Sequence, residues 1–429
     1  MMLPQRLIDQ GVTEQDIIKS NSNTYDPGFM QIHLIKHFRG SFKEMDNVND
    51  KGSFLHEYIH YLQNLTTPWG LYSSMGAYKI MIENYEFIQK HSEIKLPLRI
   101  HFNPETKRMS DIIMSGNGDN PFYTVQGSLR IDRTRDIVWH RRSKSINGHS
   151  YLCLNLDVPC EDAVKSVTFG ANIIKESMAA LYQMQLDPTA THEEYDLPYN
   201  LVKIIAEQHF PNIATDDKKL ITICYISLFS LSPAVVLIEQ LDYANKHVEK
   251  TGPELLDIFI NETSIKINGD DSVSVIDFYD DISIRFERIL RNSLQVDLDY
   301  IHEALQRIKL SNGIVPIIST LYDKNFSEDL IQDLIDYVGI PYIYTDFGEY
   351  HYPQSTTSED ASADMVALIG QHALYYFLVH PNGYGCCPLR YRCKESSYKD
   401  ECFDYPWLGE RCPMTVMGDI INLKSKNII

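Results

Sequence analysis

From Gly52 to Pro68 the chain runs GSFLHEYIHYLQNLTTP, and Glu57 is its only charged residue. Phe54, Leu55, Tyr58, Ile59, Tyr61, Leu62 and Leu65 surround it. The pattern predicts a helix that is apolar nearly all round and is stopped by Pro68 and Gly70; a helix of that kind is buried. Burying a carboxylate and two imidazoles with it is costly unless something pairs with them. The fold must therefore supply that partner.

His56 and His60 stand at i and i+4, so one helix face offers both rings to a single cation. Glu57 sits one residue beyond His56, where it can approach the same place without being a ligand. A divalent cation is the simplest partner for the group. The plainer alternative has both histidines hydrogen-bonded in the core and Glu57 facing solvent. His33 and His37 share the spacing but have no Glu between them. They read as ordinary residues of an early strand or helix.

The His56-Glu57-x-x-His60 segment resembles the active-site helix of the zincin metallopeptidases. The metzincin extension needs Gly at position 63 and His at position 66, where this chain has Gln63 and Thr66. The resemblance is therefore to the gluzincin-like group, in which a Glu on a later helix is the third ligand. Two residues qualify. Glu176 lies in a helical segment and is followed by the small residues Ala179 and Ala180, similar to the Glu-x-x-Ala helix of several gluzincins. Glu83 has the shorter separation of other members, but Glu86 beside it suggests a solvated face. Glu176 is preferred. The resemblance implies Zn²⁺ held by His56, His60 and Glu176, with Glu57 moving the proton from an attacking water to the leaving amine. It also implies a Tyr or His that donates to the oxyanion, for which His192, Tyr195, Tyr199 and His209 follow Glu176 closely enough.

The rest of the chain reads as α+β and helix-dominated, with a β-rich insertion and a Cys-rich C-terminal segment. Residues 1–92 form an N-terminal helical part carrying the histidine helix and a second helix at about Leu71 to Lys90. Residues 93–160 form the β-rich insertion, from the runs LPLRIHF, FYTVQGSLRI, DIVWH and SYLCLNLDV. Residues 161–380 form a helical domain with helices over Asp162–Leu186, Leu197–Gln208 and Val273–Asn292. Residues 381–429 are the Cys-rich tail. The uncharged stretch Leu220–Ile238 reads as two buried helices broken at Ser232-Pro233 and not as a membrane span. The basic run Arg130, Arg133, Arg135, Arg141, Arg142 and Lys144 reads as the solvated face of a hairpin.

The tail places Cys387, Cys393, Cys402 and Cys412 within 26 residues of polar coil. Four thiolates at this density can close a structural Zn²⁺ site. None of the intervals is the tight C-x2-C of zinc ribbons, so disulfides, an iron–sulfur cluster and unligated thiols are the alternatives. Cys153, Cys160 and Cys224 lie in apolar runs and read as core.

Composition narrows the partners. Lys plus Arg number 39 against 58 Asp plus Glu, a net charge of −19. That balance opposes nucleic-acid phosphates and anionic lipid. The N-terminal stretch MMLPQRLIDQ has no apolar signal core, which with the local cysteine clustering favours a cytoplasmic protein. The expected function is a zinc-dependent metallopeptidase acting on a peptide or protein. The alternatives are a catalytically inactive zincin-like scaffold that binds a protein partner, and a zinc hydrolase of a non-peptide amide. The sequence carries no reading of oligomeric state.

Overall fold

The computed structural model describes residues 23–28, 30–146, 149–268, 271–293, 299–310, 316–324, 326–347, 349–353, 361–379 and 413–428. The N-terminal twenty residues and the four tail cysteines Cys387, Cys393, Cys402 and Cys412 lie outside them. Helices predominate, with small sheets between them, so the chain is α+β.

Strands β1 (Thr24–Asp26) and β2 (Gln31–Leu34) come first, followed by helices α1 (Val48–Thr66) and α2 (Pro68–Lys90). Asn47 caps α1 by accepting from the Asp50 amide. The predicted burial is realised: Phe54, Leu55, Tyr58, Ile59, Tyr61, Leu62 and Leu65 are all fully buried. Each contributes about 1.5–3 kcal/mol of apolar burial. The corner between the two helices is built by Thr67. Its hydroxyl donates to the Gln63 carbonyl at 2.6 Å, ending α1, and accepts from the Gly70 amide at 3.1 Å, starting α2. Pro68 follows at the first helical position, where its missing N–H costs nothing. Gly70 packs so closely on α1 that a Cβ there would lie 2.4 Å from the Gln63 carbonyl oxygen.

The next region departs from the expected β-rich run. Helix α3 spans Pro104–Asn117, capped by Asn103. No strand forms over LPLRIHF, and Pro121–Thr124 is a short helical turn. Asn103 caps this helix and Pro104 takes its first position, so an Asn-Pro pair here starts a helix where it could equally have marked a turn. The real sheet lies later: β3 (Val138–Ile146), β4 (His149–Pro159) and β5 (Val164–Phe169) form an antiparallel meander. Strand β5 was expected to be the start of a helix. Its residues Val164, Val167 and Thr168 are β-branched and favour the pleated surface. Gly170 then separates it from helix α4 (Ala171–Leu186).

Beyond α4 come α5 (Leu201–His209), α6 (Asp217–Ser227), α7 (Pro233–Lys246) and α8 (Gly252–Glu262). The stretch Leu220–Ile238 is divided between α6 and α7 at Ser232-Pro233, as its composition predicts. No helix among the described residues is long and apolar enough to cross a membrane. The hairpin β6 (Ser264–Asn268) and β7 (Asp271–Ser274) leads into α9 (Val275–Arg288). Strands β8 (Tyr342–Thr345) and β9 (Tyr350–His351) complete a four-stranded sheet in the order β1-β2-β8-β9. Strand β2 runs parallel to β8, so segments far apart in the chain share one sheet. Strand β1 is an edge among the described residues. Along the basic run, Arg130, Arg133 and Arg141 pair with Glu161, Asp196 and Glu239. Cys160 and Cys224 are buried thiols, whereas Cys153 is half-buried beside the Ser115 hydroxyl at 2.8 Å.

Candidate metal centre

Helices α1 and α4 pack antiparallel. A Cβ at Gly52, near the start of α1, would lie 3.3 Å from Gln183 Cγ near the end of α4. At the other end, Gln63 Nε2 donates to the Lys175 carbonyl at 3.1 Å. Ala179 and Ala180 are fully buried in α4. The start of α4 is pinned by Gly170, where a Cβ would approach the Gly116 carbonyl to 2.4 Å. These contacts set Glu176 opposite the two histidines.

His56 Nε2 lies 3.2 Å and His60 Nε2 3.4 Å from the same oxygen, Oε2 of Glu176. One ligand atom from each of the three residues falls within 4.8 Å of the others. Both ring edges thus turn inward onto one point.

Gln63 decides the chemistry of His60. Its amide nitrogen is committed to the Lys175 carbonyl, so its Oε1 accepts from His60 Nδ1 at 2.9 Å. That makes Nδ1 the donor to Gln63 and turns Nε2 toward Glu176, where it can ligate a cation or, protonated, donate to the carboxylate. The donor set, two imidazoles and a carboxylate, suits zinc in particular. His56 has no such brace; its Nδ1 is buried without a hydrogen-bond partner.

Electrostatics separates the two acids. Burial alone would raise the Glu176 carboxyl, but His60 and His56 overcome it and hold the group well below the usual carboxylate range. Glu57 is 8% exposed. Burial pushes its carboxyl up to about 7; His56 opposes this, the Glu176 charge adds to it, and the Tyr25 backbone N–H opposes it again. One carboxyl is thus held ionised, while the other is poised near neutrality.

The other sequence candidates divide. The Tyr199 ring lies 5.6 Å from the His56 ring and 4.6 Å from that of His192, which is itself 6.1 Å from His56. Burial lowers His192 to about 4, and it raises the Tyr199 hydroxyl, with Glu176 and Glu57 reinforcing. Tyr195 is 47% exposed and packs toward Phe122. His209 is committed elsewhere, to the Ile137 carbonyl at 2.9 Å and against Trp139. Glu83 is occupied in bracing α3: its carboxylate accepts from the Asn103 amide at 2.8 Å and the Thr106 hydroxyl at 2.6 Å. His33 bonds Asp346 at 2.7 Å from β2, and His37 bonds Glu349 at 2.8 Å, so that pair shares no cation site.

Three contributors were not anticipated. Gln63 was weighed only as a departure from a motif, although its i+3 position from His60 was the available signal. Lys175 and Tyr25 line the small pocket of about 90 Å³ at the triad, together with Pro27 and Pro198. Burial pushes the Lys175 ammonium down and Glu176 opposes it. Tyr25 belongs to the edge strand, and its N–H points at Glu57. No family model matches the chain, no curated protein matches its sequence and no solved structure matches its fold.

Proposed function

We propose that the chain is a zinc-dependent metallopeptidase. One observation carries this reading: two rings from α1 and a carboxylate from α4 converge on one point, with a second, dry carboxyl beside them. Zinc bound there supplies Lewis acidity, polarising a carbonyl and acidifying a water molecule. His56, His60 and Glu176 hold the ion. Glu57 takes a proton onto its carboxylate from the attacking water and returns it to the departing amine nitrogen. The cation's charge favours the ionised form of Glu57, which suits a base at neutral pH. Tyr199, whose hydroxyl stays protonated, is positioned to donate to the developing oxyanion, with His192 behind it.

The edge strand favours a peptide as substrate. The Tyr25 N–H of β1 is bonded to Glu57, so an extended peptide pairing along that strand would lie beside the site.

The test is Glu57→Gln. The variant is expected to keep as much zinc as the wild type and to lose about 10²- to 10⁴-fold in cleavage of a peptide library. Wild-type protein that carries no metal at the histidines, or a variant that cleaves at the wild-type rate, overturns the proposal.

A further inference from the structure

A second hollow, of about 970 Å³, lies among α2, α3, α7, α8, the β6–β7 hairpin and α9, and none of its wall residues lines the metal pocket. Its size is at the upper end of the roughly 300–1,000 Å³ of small-molecule sites. Most of the wall is apolar, with Met75, Met109, Ile112, Phe259, Phe278 and Ile282 at its heart, all of them buried. Apolar walls of this kind gain when a ligand's apolar part displaces the water against them.

The polar part of the wall is lopsided. It holds Lys79, Arg108, Arg285 and Arg288 against Glu105 and Asp281. Lys79 pairs with Glu105 at 2.7 Å and Arg285 with Asp281 at 2.9 Å. Arg108 and Arg288 have no ion pair or hydrogen bond among the described residues. Arg108, Arg285, Glu105 and Tyr151 all lie within electrostatic range of the Tyr72 hydroxyl, so charged and phenolic groups gather around one point of the wall. A surplus of cations over an apolar hollow stands out in a chain of net charge −19.

We infer that this hollow binds a single-tailed amphiphile with an anionic head, the tail among the apolar side chains and the carboxylate or phosphate on Arg108 and Arg288. Guanidinium groups suit either head, because both present paired oxygens to the planar fork. The inference is independent of the metallopeptidase reading.

The probe is cis-parinaric acid, a fluorescent long-chain fatty acid, titrated below its micelle concentration into the full chain. Saturable binding of one molecule per chain is expected. Lysophosphatidic acid should displace it if the site accepts either head; failure to displace narrows the ligand to carboxylates. The double variant Arg108→Ala/Arg288→Ala should weaken binding by about tenfold or more and leave a neutral monoglyceride unaffected. Arg108→Lys/Arg288→Lys should restore only part of the affinity, because it keeps the charge and loses the fork. Val236→Trp, on the half-buried wall, should block acid and monoglyceride alike, with an unchanged thermal transition showing that the chain still folds. Absence of saturable binding overturns the inference. So does binding that neither the arginine nor the Val236 variant alters, or a monoglyceride that binds as tightly as the acid.

Discussion

Two hollows of this helical body are built in opposite ways. The pocket at the two histidines is about 90 Å³ and crowded with polar groups; the other is about 970 Å³ and mostly apolar. In the first, two imidazoles and a carboxylate converge, a set that could hold a cation. In the second, two arginines that pair with nothing among the described residues are the specific groups and the rest is shape. A site that does covalent chemistry needs converging donors, each braced; a site that holds a tail needs volume and an anchor at one end.

The largest expected effect falls on the first hollow. Glu176→Ala should lower zinc affinity by more than about a hundredfold, read as metal content relative to wild type so that any ion on the cysteine segment cancels. Glu83→Ala should leave that content unchanged. If the two results exchange places, the third ligand is misassigned. Cis-parinaric acid binding should be unchanged in Glu176→Ala; a change there would mean that the two hollows are not independent.

The next effect is on stability. The Glu57 carboxyl is raised from 4.5 to about 7 in the fold. A raised acid favours folding while it is protonated, and that advantage is lost as pH climbs from the unfolded value to the folded one. Metal-free Glu57→Gln should therefore match wild type below about pH 4.5 and exceed it by about 3 kcal/mol above pH 7. Denaturant melts at the two pH values measure it. A constant difference across the range would show that Glu57 is not buried as described.

Gln63→Leu should cost about 10- to 100-fold in zinc affinity by releasing His60 from its tautomer. A calorimetric titration of the metal-free protein reads this directly, and an unchanged affinity would reduce Gln63 to packing. Smallest is the stability cost of Glu83→Ala, about 1 kcal/mol from lost hydrogen bonds to α3; a neutral result would make that brace dispensable.

The contrast also explains what the sequence can and cannot disclose. His56, Glu57 and His60 lie within one helical turn and a half, where spacing translates directly into facing. Glu176 could be proposed because small residues follow it. Gln63 was open to the same logic. The wall of the larger hollow comes from elements scattered between Tyr72 and Ile289. Each of its apolar residues, taken alone, is indistinguishable from core. Whether Met75 faces packing or space depends on how several helices meet, which no local pattern encodes. Likewise α3 was hidden because an Asn-Pro pair serves turns and helix starts equally, and β5 because its run adjoins a long helical pattern.

Glu176 stands 120 residues from His56 along the chain. At this site an unfolded chain would offer an ion only the neighbouring histidine pair; the third donor arrives once tertiary structure has formed. If the proposed site takes an ion, occupancy would report folding, and an excess of the ion would deepen the native basin by RT ln(1 + [L]/Kd). A cell that withholds the ion would hold the same polypeptide nearer to its melting point.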